Sequence, residues 1–100
     1  MIVNLTPHPI NLPTGELRSK GLARVHQTAE IIGKFDGIDL TRSTFGEVTG
    51  LPAESNGVLY VVSAMVRLAL PNRKDLASPS LLVRNDSGLI VGCNGLEVNR

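Results

Sequence analysis

The thirteen residues Val58–Leu70 constrain the fold more than any other stretch. Eleven of them are apolar, and only Ser63 and Arg67 interrupt the run. Val58–Val62 is β-branched and aromatic without polar alternation, which predicts a central strand buried on both faces. Ser63 has the side chain of a helix N-cap, because its hydroxyl can accept a bond from a free backbone N–H. Ala64–Leu70 then predicts a short buried helix, ended by Pro71, which has no N–H to continue it. One reading of this unit is pure core. The other is that a strand end meeting a helix N-terminus can hold an anion.

A chain of 100 residues has room for one domain over residues 1–100. Such a chain buries only about two-thirds of its surface, so a homo-oligomer, a dimer or higher, is the natural supplement. Apolar residues make up 42% and the net charge is +1, so nothing in the balance calls for a nucleic-acid polymer or an anionic membrane. Phe35, Phe45 and Tyr60 are the only aromatics, too few for a base-stacking single-strand binder. Cys93 stands alone, which fits a reducing compartment such as the cytoplasm. The N-terminus lacks a basic n-region, and no apolar run is long enough for a bilayer.

Around the central unit the signals are those of strands and turns. Ile2–Leu12, with Pro7 and Pro9, reads as an edge strand or extended arm. Leu22–Ile32 alternates with period two. Ala23, Val25, Ala29 and Ile31 fall on one face and Arg24, His26, Thr28 and Glu30 on the other, as in a half-buried strand. Asp36-Gly37 is a hairpin dipeptide, and Ile38–Thr49 is the returning strand, with Gly46 as a bulge. Pro71–Ser80 reads as a polar loop, and Asn85-Asp86-Ser87-Gly88 turns a second hairpin between Leu81–Arg84 and Leu89–Cys93. The expected fold class is α+β: one small, twisted, mostly antiparallel sheet with one short helix packed on a face.

Few residues carry recognisable chemistry. Asn4, Thr6 and His8 are two apart, so an extended backbone places them on one face, where His8 could serve as base, phosphate donor or metal ligand, or be a plain surface residue. Arg67, Arg73, Lys74 and Arg84 follow the central strand. Folded back over the helix start they would converge with Ser63 on a phosphate or carboxylate; otherwise they are separate cations, with Arg73 paired to Asp75. Cys93 lies in the apolar Ile90–Cys93 and reads as core. Close metal-ligand spacing and glycine-rich phosphate loops are missing from the sequence, so it assigns no metal and no cofactor.

Two blocks carry a family resemblance. Asn4-Leu5-Thr6-Pro7-His8 resembles the start of small proteins encoded by bacteriophages, prophages and actinobacterial genomes. Gly46–Pro52, Val58–Ser63, Arg73–Leu76, Ser78-Pro79, Val83-Arg84, Gly88 and Ile90–Cys93 resemble a second block of the same proteins. Leu17–Ile32 has no counterpart. The resemblance implies a phage context and no catalytic assignment. It marks Asn4, Thr6, His8, Ser63, Arg73, Asp75 and Arg84 as pocket residues, and the helix charge Arg67 joins them as a candidate. In that context the expected function is binding of a small, nucleotide-like anion, as in a sponge that sequesters a host defence signal. The alternatives are a protein-interaction or structural phage module, and a small hydrolase or phosphodiesterase using His8. The expected location is the cytoplasm of the bacterial host.

Overall fold

The computed structural model describes residues 1–100. Strands dominate, and one short helix accompanies them. In chain order the elements are β1 (Ile2–Asn4), β2 (Ile10–Leu12), β3 (Gly15–Leu17), β4 (Arg24–Phe35), β5 (Ile38–Thr49), β6 (Leu59–Val61), α1 (Ala64–Ala69), β7 (Leu76–Arg84) and β8 (Ile90–Val98).

The α+β character expected from the sequence holds, but the strands form three sheets instead of one. The main sheet has four strands in the order β1-β6-β7-β8. Two-stranded sheets, β2-β3 and β4-β5, stand apart from it. The main sheet is mixed. β1 pairs with β6 and β6 with β7 in parallel, and only β7 and β8 run antiparallel. Parallel neighbours cannot be joined by a tight hairpin; between β6 and β7 the crossover runs through α1, and between β1 and β6 it runs through β2–β5.

The apolar stretch behaves largely as its residues require. β6 lies inside the main sheet, with Val61 and Val62 fully buried. Ser63 caps α1, its hydroxyl accepting from the Val66 N–H at 3.3 Å. The helix is shorter than expected and only partly buried. Val66 and Arg67 are covered, while Met65 and Leu68 face outward. Pro71–Ser80 is not a loop throughout, because Leu76–Ser80 begins β7. Pro79 is tolerated there because it lies past the residues of β7 that pair with β6.

The core collects Leu5, Ala23, Tyr60, Val62, Val66 and Leu76, with Val25, Val48 and Leu70 packed against them. Its contributors are thus the sheet, the helix and the foot of the β4–β5 hairpin. Beyond that foot the hairpin departs from expectation. Asp36 and Gly37, both at positive φ, make the tight turn predicted for them. The bulge at Gly46 is present as a register shift between Val25 and Gln27. Yet the half-buried face predicted for β4 exists only at Ala23 and Val25; Ala29 and Ile31 lie in solvent with the rest.

Candidate functional site

One cleft of about 630 Å³ lies between the 6–11 segment, the start of α1 and the β7–β8 hairpin. That is within the range of small-molecule sites. Its polar groups are Thr6, His8, Asn11 and Ser63; Ile10, Leu82, Ile90 and Val91 form apolar walls, and Cys93 completes the lining.

The first wall is built around Asn4, which is fully buried. Its Nδ2 donates to the carbonyls of His8 at 2.8 Å and Leu17 at 2.9 Å. Its Oδ1 accepts from the Thr6 backbone N–H at 2.9 Å, an Asx turn. The Thr6 hydroxyl lies 2.6 Å from the same Oδ1 and 3.0 Å from the His8 carbonyl. Asn4 therefore does not share an outward face with Thr6 and His8. It sits beneath them and fixes the turn that presents them, using every hydrogen-bonding position of its amide.

The second wall depends on close approach. Asn11 Nδ2 donates to the Val91 carbonyl at 2.9 Å, tying β2 to β8. Opposite it, a Cβ on Gly92 would stand 2.8 Å from the Asn11 carbonyl oxygen, so only glycine admits β2 at this distance. Leu82 and Cys93 are cross-strand partners, which puts both side chains on one face. Cys93 is buried, as its apolar surroundings predict.

The arginines do not converge on Ser63. Arg67 points away and is held by three groups: Ser78 Oγ at 2.9 Å, Glu97 Oε2 at 2.8 Å and Asn99 Oδ1 at 3.1 Å. Asn99 returns its amide protons to the carbonyls of Arg67, Leu70 and Arg73, closing the C-terminal end of α1. Arg73 makes a two-point pair with Asp75, at 2.8 and 2.7 Å, and also reaches the Pro52 carbonyl. This fork bond holds the Asp75 carboxyl below its ordinary range and raises the Arg73 guanidinium. Arg84 bonds the Gly88 carbonyl across its own hairpin turn. Each is engaged in fold architecture, and none lines the cleft.

Of the eight candidate residues, Thr6, His8 and Ser63 meet in one place and Asn4 supports them. Asn11 and the apolar wall were not predicted. The one local signal for Asn11 was a lone amide between Ile10 and Leu12. The wall residues read as ordinary strand. No family model, curated protein or solved structure matches the chain. No helix is long and apolar enough to cross a membrane.

Proposed function

We propose that this chain is a small-molecule binder that holds a nucleotide-like ligand in the cleft and does not turn it over. The observation that carries this is the cleft itself, which combines apolar walls with the polar side chains of Thr6, His8, Asn11 and Ser63. A planar base suits Ile10, Leu82 and Val91. The ribose and phosphate would meet the hydroxyls of Thr6 and Ser63 and the imidazole of His8. No lysine or arginine lines the cleft, so the phosphate would be read by hydrogen bonds and His8, with its outer oxygens in water. With a phage origin, the biological role would be sequestration of a host signalling nucleotide.

The hydrolase reading has less to draw on. A general base at His8 needs a second acid–base group or an activated water, and no carboxylate shares the lining with it.

The test is a thermal-shift and calorimetric screen of the purified protein against cyclic dinucleotides and ADP-ribose derivatives. A binding nucleotide should raise Tm, and chromatography should recover it intact after incubation. His8→Ala should keep the parent melting temperature and weaken binding about tenfold, as loss of one hydrogen bond to a charged group would. No shift with any nucleotide at millimolar concentration would refute the proposal.

A further inference from the structure

The β4–β5 hairpin is out of proportion to the domain that carries it. Each strand is 12 residues long, yet no third strand lies beside them. Two-stranded ribbons with both faces in water are marginal on their own. The outer half nevertheless carries a continuous apolar face. Ladder pairing sets Gly33 opposite Leu40 and Phe35 opposite Ile38. Ile32, beside Gly33, is left unpaired by the register shift after Ile31. Ile32, Phe35, Ile38 and Leu40 are between 44% and 68% exposed there.

We infer that this face is a dimer interface, occupied by a second copy of the same chain. The whole-molecule surface gives the first argument. The chain exposes 6881 Å². A compact monomer of 10.7 kDa exposes about 5,500 Å². The surplus of about 1,400 Å² per chain is what a permanent homodimer buries on each side. The radius of gyration is 16.0 Å, against about 13 Å for a compact domain of this length.

Charge gives the second argument. One ion pair closes the apolar face at its inner end, Arg42 with Glu30 at 3.0 Å, while Lys34 and Asp39, 3.6 Å apart, balance each other on the opposite face. A face whose charges are already balanced offers little to a nucleic acid or an anionic lipid. It suits an identical face, since a two-fold axis brings the same neutral apolar patch against itself. This interface does not depend on the ligand reading, because none of its residues lines the cleft.

The experiment is light scattering and sedimentation on the parent and on the double variant Phe35→Asp/Ile38→Asp, without nucleotide. The parent should have a mass of about 21 kDa, twice the 10.7 kDa chain. The double variant should be monomeric with the parent's β-type circular dichroism, because neither residue touches the core cluster. Should it not fold, the milder Phe35→Ser must still raise the dimer dissociation constant at least roughly tenfold, as loss of a buried aromatic anchor does. A parent that is monomeric at high micromolar concentration overturns the inference. So does a folded double variant, or a Phe35→Ser variant, that dimerises like the parent.

Discussion

Asn4 shows how much a single side chain organises here. Its amide satisfies two carbonyls and accepts from Thr6, all without contact with solvent. Asn4→Ala strands those partners and opens a small void. It should cost about 2–4 kcal/mol in denaturant unfolding, far more than an average substitution. A cost below about 1 kcal/mol would mean that water replaces the amide. Asp75 is the residue through which pH should act. Its carboxyl is held below its ordinary value of 3.8 by the hydrogen bonds from Arg73. A lowered folded-state value means that the unfolded chain binds the proton more readily. The stabilisation is therefore complete above about pH 4 and is lost as pH falls through the lowered value. Asp75→Asn should destabilise at neutral pH by about 1.5–3 kcal/mol, and the gap from the parent should close in strong acid. Unfolding curves of both proteins across that range check it; a gap that persists at pH 2 would point to packing instead of charge.

At the scale of elements, the cleft stands on the approach of β2 to β8. Gly92→Ala places a methyl group 2.8 Å from the Asn11 carbonyl oxygen, so β2 must move away. The buried thiol of Cys93 reports this directly. Its reaction with a disulfide reagent should speed up in Gly92→Ala, while the core cluster, which contains neither residue, keeps its melting behaviour. Unchanged thiol reactivity would show that β2 is not fixed by this contact. The same scale divides what was legible in the sequence from what was not. Strand β6, the Ser63 cap, the Asp36-Gly37 turn and the Gly46 bulge are local signals, and each appears where its residues place it. The start of β7 was hidden because Pro79 and the small residues Ala77 and Ser78 mimic a loop. Parallel pairing through α1 has no local signature at all. Arg67 looked like a ligand group because its partners, Glu97 and Asn99, lie 30 and 32 residues away in sequence. Alternation in β4 correctly separated two faces but could not say that, beyond Val25, nothing within the same chain covers either one.

For the whole molecule, the governing fact is the thinness of its own core. Only 12 of 100 residues are buried, and the principal extents are 49 × 39 × 23 Å. Folding must offset on the order of 1–2 kcal/mol of backbone entropy per residue, and a single chain has few buried side chains to do it. The long hairpin is the worst case, because its ordering gains little from the rest of the chain beyond Val25 and Val48 at its foot. If a second copy covers the hairpins, association adds to the stability of the folded chain by mass action. The melting temperature of the parent should then rise steadily with protein concentration. For a unimolecular fold it would be constant. The Phe35→Asp/Ile38→Asp chain should melt lower and independently of concentration. Its hairpin amides between residues 28 and 45 should exchange with solvent well before those of β6 and β7, because local stability follows buried contact. Calorimetry over a hundredfold concentration range, followed by hydrogen exchange, checks both. A parent transition that stays fixed across that range would mean that the hairpin is stable without cover, with cross-strand pairs such as Gln27–Ser43, Thr28–Thr44 and Glu30–Arg42 sufficient to order it.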